Sequence, residues 1–345
     1  MKIAPADSQI KELNMQSDLF SADLERAPVA IAWGAGVDST AMIIEMHNRG
    51  EPIDVVLHAL TKWENPLTDE YIEYFTAWMD DRGIPNARVQ NWPSRIKPGV
   101  PMFDGLYEKC LAYSVLPGVA LGYHTCSAWA KITPQMQWYR SWDLGQRALR
   151  QGMRIVQCIG FDAGPRDSVR YADREGYDDP MFTMRYPLRE WSLDREACEA
   201  IILKAGLRLP PKSSCTGCIA TRPKELQAFP VSEHARLILL EARAAPRMRN
   251  CDGLWRKPIK GKGKSEPRPG SMTQYILEKE LMPPEEIILI QNEGVKALNA
   301  WCSKITDEPV HLRPKISEWL DQFDKHHRAI QETGKIKNYP KNMIQ

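Results

Sequence analysis

Residues 30–41 read Ala-Ile-Ala-Trp-Gly-Ala-Gly-Val-Asp-Ser-Thr-Ala, and the fold turns on this stretch. The apolar run 29–33 predicts a buried strand, and Asp38, Ser39 and Thr40 open a segment with helical spacing, Ala41-Met42 and Glu45-Met46. Between them Gly34 and Gly36 allow close backbone approach to a ligand, while the first free amides of the helix and its dipole point at any anion lying there. Phosphate is the natural occupant. No Gly-Lys-Ser/Thr ending follows, which excludes a Walker loop, and Ser39 stands where a dinucleotide fingerprint carries its third glycine. The plainer alternative is a strand-to-helix turn capped by Asp38 or Ser39.

Outward from this loop, strand-like runs recur at 54–60, 87–90, 154–161 and 182–187, with helical spacing in several of the gaps. Thr68 is the expected N-cap of one helix, which buries Tyr71, Tyr74, Phe75, Trp78 and Met79 and stops at Gly83. Pro134 begins another, carrying Tyr139, Trp142 and Leu149. Such alternation predicts an α/β fold: a mainly parallel five-stranded sheet, helices on both faces, and a ligand at the carboxyl ends of the strands.

The chain has 345 residues, enough for one large domain with an appendage or for two domains. A net charge of +2 says little by itself about a nucleic-acid partner. Of the eleven tryptophans, Trp129, Trp138 and Trp142 stand among polar and basic residues, where stacking on a base competes with the commoner core role. Residues 1–27 form a polar lead-in without the apolar core of a signal peptide, and no run is long and apolar enough to span a membrane. The expectation is a cytoplasmic protein. Its cysteines, Cys110, Cys126, Cys158, Cys198, Cys215, Cys218, Cys251 and Cys302, are then buried thiols, metal ligands or redox groups rather than a disulfide framework.

Candidate chemistry clusters after the strands. The run 160–170, Gly-Phe-Asp-Ala-Gly-Pro-Arg-Asp-Ser-Val-Arg, offers Arg166 and Arg170 on the ligand side, where guanidinium binds phosphate oxygens bidentately; as a plain surface turn it would leave both solvated. Lys131, after Cys126, is a second candidate for phosphate neutralisation. Cys215-Thr216-Gly217-Cys218 is the sharpest cysteine signal: two thiolates at this spacing can share one metal, and Cys126 and His124 are the nearest candidates to complete the set. A redox dithiol, or a loop with two idle cysteines, is the alternative.

The loop Gly34-Ala35-Gly36-Val37-Asp38-Ser39 resembles the pyrophosphate loop of PP-loop ATP pyrophosphatases, Ser-x-Gly-x-Asp-Ser, with Gly34 in place of the first serine. Taken with Glu64-Asn65-Pro66-Leu67-Thr68, with Cys126, Lys131 and Pro134, with the 160–170 run, and with Tyr186-Pro187-Leu188-Arg189-Glu190-Trp191 leading to Cys215-x-x-Cys218, it is similar to the phosphoadenosine phosphosulfate (PAPS) reductase family. The likeness is to divergent bacterial and phage members, some related to the DNA phosphorothioation sulfurtransferase, and covers about 28–228. It implies an adenine nucleotide alpha hydrolase-like fold binding ATP or an adenylyl-sulfate. Residues 34–40 would then hold phosphates with Mg2+ placed by Asp38, and Glu64 would lie near the nucleotide. Lys131, Arg166 and Arg170 would stabilise phosphate charge, and Cys126, Cys215 and Cys218 would carry a [4Fe-4S] cluster or Zn2+. The Glu-Cys-Gly motif of true reductases is absent, so sulfate reduction is not expected.

Beyond Phe229 the character changes. A helix leads into Arg247, Arg249, Arg256, Lys257, Lys260, Lys262, Lys264 and Arg268 among glycines and prolines, which reads as a flexible basic linker able to meet DNA or tRNA. Residues 271–333 read as amphipathic helices, a cap or a subunit interface. The expected division is therefore a lead-in over 1–27, a nucleotide-binding domain over 28–228, a helix and linker over 229–270, and a helical region over 271–345. The expected function is an ATP-consuming enzyme that cleaves the α–β bond to adenylate an acceptor for sulfur transfer or another modification; the alternatives are an adenylyl-sulfate reductase, disfavoured by the missing Glu-Cys-Gly motif, and a nucleotide- or nucleic-acid-binding module without catalysis.

Overall fold

The computed structural model describes residues 24–93, 95–174, 176–261, 266–340 and 343; most of the expected lead-in, together with Lys262 and Lys264, lies outside them. Five strands form the sheet: β1 (Val29–Ala32), β2 (Val55–Leu60), β3 (Asn86–Gln90), β4 (Ile155–Ile159) and β5 (Phe182–Arg185). Every pairing is parallel, and the order is β3-β2-β1-β4-β5. The chain winds outward from β1 to β3, then returns to the other side of β1. That reversal puts a topological switch point between β1 and β4, where an open α/β sheet leaves a crevice at its carboxyl edge.

Alternation along the strands supplies both faces. Val29 and Ile31 of β1 point into a core shared with α1 (Val37–Asn48), α2 (Pro66–Asp80) and a later helix bearing Cys198 and Ile202. Ala30, Val55, Leu57 and Ile155 point the other way, onto Tyr139 and its neighbours. Helices therefore cover both faces of an α/β sheet, as the alternating sequence requires. Trp138 and Trp142 pack against this second core, so they are structural. The N-cap of α2 is Asn65, whose side chain accepts from the Leu67 amide, and not Thr68, which is buried inside the first turn. Pro66 at the first helical position explains the shift: it fixes φ where no amide donor is needed.

Residues after β3 leave the sheet. The segment holding α3 (Leu106–Ala112) packs Phe103, Leu106, Tyr107 and Leu111 into a third core with helices from 231 onward. In chain order the remaining long elements are α4 (Thr133–Ser141), α5 (Asp143–Arg150), α6 (Pro165–Ala172), α7 (Arg195–Lys204), α8 (Val231–Ala244), α9 (Met272–Glu278), α10 (Pro284–Leu289), α11 (Val295–Cys302) and α12 (Ile316–Thr333). A π segment, Ile290–Gly294, runs directly from α10 into α11, so residues 284–302 form one helix with a π bulge.

The basic segment is not the flexible linker its composition suggests. Cys251, Leu254 and Trp255 are buried, Trp255 donates to the Thr221 carbonyl at 2.9 Å, and Ile259 pairs antiparallel with Arg268. Arg268 lies over the Trp255 ring and donates to the carbonyls of Ile219 and Thr221, so its charge anchors the end of the Cys215–Cys218 loop. Glycines and prolines here serve tight packing: a Cβ on Gly253 would stand 2.3 Å from Glu241 Oε1. No helix among the described residues is long and apolar enough to cross a membrane.

Candidate functional site

The chain leaves β1 at Trp33 and enters α1 through Gly34, Ala35 and Gly36. Ala35 is fully buried with φ of 53°, a left-handed conformation costly for a side chain and held by its surroundings. Gly36 is the N-cap of α1, without a side chain to cap the helix. The amides at 37–39 are thus left for a ligand, as an anion site requires. The Ser39 hydroxyl spans the loop, accepting from the Gly34 amide and donating to the Gly36 carbonyl, both at 3.3 Å. Thr40 departs from the expected set. It is fully buried, and its hydroxyl accepts from Trp33 Nε1 at 3.0 Å, so it ties the helix to the core instead of facing the mouth. Val37 is also buried, contributing its backbone only.

Across the switch point, the β4 exit meets this loop backbone to backbone. A Cβ on Gly160 would stand 2.8 Å from both N and Cα of Ser39, so only glycine permits the approach. Asp162 follows, with Oδ1 accepting from the Gly164 amide at 2.8 Å, and Asp167 sits in the first turn of α6. Ligand oxygens of Asp38, Asp162 and Asp167 lie within 4.8 Å of one another. Burial pushes the Asp38 carboxyl above its usual range; Arg195 opposes the rise, and the Asp162 and Asp167 charges add to it. Arg195 reaches Asp38 at 3.0 Å, and Arg170 reaches Asp167 at 3.0 Å while lying over the Phe161 ring. Arg166 is exposed on the same helix. Arg189 braces the loop from below, donating to the Asp162 carbonyl at 2.8 Å.

The third wall is the stretch after β2. Glu64 is buried, with Oε1 accepting from Thr61 Oγ1 at 2.9 Å and lying 3.9 Å from Lys131 Nζ, while Oε2 has no protein partner. Glu64 bridges antiparallel to Cys215, and the Asn65 amide donates to the Ser214 carbonyl at 3.2 Å. Gly217 lies flat on the Trp63 indole, where a Cβ would meet the ring at 2.2 Å. Ser213 donates its hydroxyl to the Gly34 carbonyl, so the cysteine loop is tied directly to the phosphate loop. Cys126 enters from a short turn, Thr125–Ser127.

Lys131 is the cation these groups share. Burial pulls its ammonium pKa down, and Glu64 with Cys215, Cys218 and Cys126 more than offsets this, leaving it raised. Burial pushes the Cys215 thiol well up, Glu64 adds to that, and Lys131 opposes; Cys218 is raised by burial as well. Among the described residues, Asp38, Asp162 and Asp167 form the one group of three or more metal-ligating side chains gathered within 4.8 Å. Cys126, Cys215, Cys218 and His124 do not form such a group. His124 is exposed and caps the Thr125–Ser127 turn through its backbone.

Asp162, Asp167, Arg195 and Ser213 join the site without being expected from the sequence. The two aspartates carried a weak signal, lying in the run after β4, but a Gly/Pro-rich turn accounts for Asp equally well. Arg195 and Ser213 had none, because only the packing of α7 on α1 and the path of the cysteine loop bring them to the β1 exit.

Fold and site together define an open parallel α/β protein with an anion-ready loop and a carboxylate cluster at its switch point. No protein-family model and no curated protein matches the chain. Among solved structures it is similar to a phosphoadenylyl-sulfate (PAPS) reductase from Candida auris in a phosphate complex, with 14% identity and a TM-score of 0.35 over 61% of this chain and 92% of that one.

Proposed function

We propose that the protein is a PP-loop-type enzyme that binds ATP with Mg2+ across β1 and β4 and cleaves the α–β bond to adenylate an acceptor, for sulfur transfer or another modification of a nucleotide or nucleic acid. The observation that carries this reading is the convergence, at one switch point, of uncapped α1 amides with three carboxylates from separate elements. Mg2+ takes hard oxygen ligands at about 2.1 Å, and Asp38, Asp162 and Asp167 fit that demand. When bound, it would neutralise phosphate charge.

The remaining work falls to the chain. The amides at 37–39 would hold phosphate oxygens, Arg166 and Arg170 would offset charge on the departing pyrophosphate, and Glu64 with Lys131 would line the wall toward the thiols. Cys126, Cys215 and Cys218 would hold a [4Fe-4S] cluster or Zn2+, either of which takes thiolate ligands. A DNA or tRNA acceptor would meet the exposed charges of Arg249, Arg256, Lys257 and Lys260.

Calorimetric titration with ATP, with and without Mg2+, tests the reading together with exchange of labelled pyrophosphate into ATP. Binding should depend on Mg2+, and Asp38→Asn should weaken it about tenfold. Absence of ATP binding with Mg2+ present would reject the proposal.

A further inference from the structure

Asp38, Asp162 and Asp167 crowd their carboxylates into a span of 4.8 Å, and two guanidinium groups answer them. Arg170 comes from the same helix as its partner Asp167 and is held over Phe161. Arg195 differs in origin and grip. It arrives from α7, 157 residues away in sequence from Asp38, and its Nη1 lies 3.0 Å from Oδ1 and 3.3 Å from Oδ2, so that one nitrogen faces both oxygens. Its Nε donates to Glu199 Oε1 at 3.0 Å.

The position of its backbone is fixed. Arg195 begins α7, which Asp194 caps by accepting from the Ala197 amide at 2.9 Å, and α7 packs along α1. Its side chain is 52% exposed, against 23% for Asp38, so solvent and Glu199 can hold the guanidinium when Asp38 does not. A divalent cation about 2.1 Å from an Asp38 oxygen would meet the guanidinium across the same carboxylate, and the two positive charges repel. Each therefore weakens the other's hold on Asp38.

We propose that Arg195 is a placeholder counter-ion: it occupies Asp38 while no divalent cation is bound, yields that carboxylate to the cation, and turns its freed guanidinium toward the anionic ligand. The inference rests on the Mg2+-nucleotide reading and adds to it a positioning residue that competes with the metal. A fixed structural ion pair and an arginine that only binds phosphate predict other signs.

The test is titration of the full chain with Mn2+ alone, without nucleotide, followed by electron paramagnetic resonance. Arg195→Gln removes the competitor and should tighten Mn2+ binding about three- to tenfold. Arg195→Lys, which keeps a charge in place, should stay near wild type. The metal-free melting temperature of Arg195→Gln should fall below that of wild type, and its rise on adding Mn2+ should be larger, a readout independent of any activity. Unchanged or weaker Mn2+ binding in Arg195→Gln overturns the inference. The underlying reading fails separately: if Asp162→Asn leaves Mn2+ binding by the wild-type background unaltered, the carboxylates are not the cation site. If Asp162→Asn weakens binding and Arg195→Gln does not tighten it, the placeholder role alone is wrong.

Discussion

At residue scale, two glycines of the site make opposite demands. Gly160 has no room: a Cβ there would press on the backbone of Ser39, and backbone cannot swing aside as a long side chain does. Gly160→Ala should therefore force the β4 exit away from α1, cost about 2 kcal/mol of stability, and weaken ATP binding at least tenfold. Gly34 is open, with nothing within 4 Å of the place a Cβ would take and no left-handed φ. Gly34→Ser adds a hydroxyl at the mouth of the loop, so it should leave the melting temperature unchanged and, on the proposed reading, tighten ATP binding a few-fold, worth about 1 kcal/mol. Chemical denaturation and calorimetry on the two variants check the contrast; a destabilised Gly34→Ser would show that the loop is tighter than its geometry indicates. The loop was legible in sequence because glycine, aspartate and serine at fixed offsets carry their chemistry in the backbone. Its partners across the cleft were not, because Arg195 and Ser213 lie far along the chain and no local pattern marks them.

At the scale of elements, two buried carboxylates hold junctions together. Glu241 on α8 accepts four hydrogen bonds: Oε1 from the amides of Leu254 and Met272 at 2.7 and 2.9 Å, and Oε2 from the Ser271 hydroxyl and the Thr273 amide at 2.6 and 2.9 Å. It thereby satisfies the otherwise orphaned amides at the start of α9. Glu241→Gln would turn an NH2 group toward donors, leaving at least one buried amide without an acceptor, and should cost about 2–4 kcal/mol in urea unfolding. Asp54 ties the start of β2 to β1, accepting from the Val29 amide at 2.7 Å and pairing with Arg26. Burial acts to raise its pKa, but the Arg26 and Val29 hydrogen bonds outweigh that and hold the carboxyl below its usual value. A depressed folded-state pKa means stability that is present above the unfolded carboxylate range and lost as pH falls through the folded value. Acidification from neutrality should therefore destabilise the wild type by about 1 kcal/mol more than Asp54→Asn, a modest figure because Arg26 is half exposed. Melting temperatures across that pH range measure the difference. The strands were legible from local pattern: β1, β2 and β4 are short, mainly apolar runs, whereas β3 and β5 alternate apolar with polar residues. The Glu241 junction was not, since a charged residue on an amphipathic helix reads as its solvated face.

At the scale of the molecule, composition suggested an appendage beyond residue 228, whereas the structure joins that region to the middle of the chain. The third core draws Phe103, Tyr107 and Leu111 together with Leu237, Leu240, Ile276, Trp319 and Phe323, and includes Trp63, on which Gly217 of the cysteine loop rests. Polar ties follow the same seam: Tyr107 donates to the Arg236 carbonyl at 3.0 Å, Lys315 pairs with Asp104 at 2.9 Å, and Arg313 donates to the Lys97 carbonyl at 2.7 Å. No local pattern reveals such a seam, because each amphipathic helix states only that it has a buried face and not which distant segment covers it. The consequence reaches the site, since Cys126 and Trp129 pack against this core and Lys131 follows directly. Ending the chain at residue 270 would strip the partners of α8 and of the 96–130 segment and leave a large apolar face in water. The truncated chain should keep far-ultraviolet circular dichroism for the sheet and α1, lose near-ultraviolet signal from Trp63, Trp129 and Trp255, and expose Cys126, Cys215 and Cys218 to rapid alkylation. Slow alkylation of those three thiols with near-ultraviolet dichroism retained would show that 271–345 is separable after all, and the site would then belong to the sheet alone.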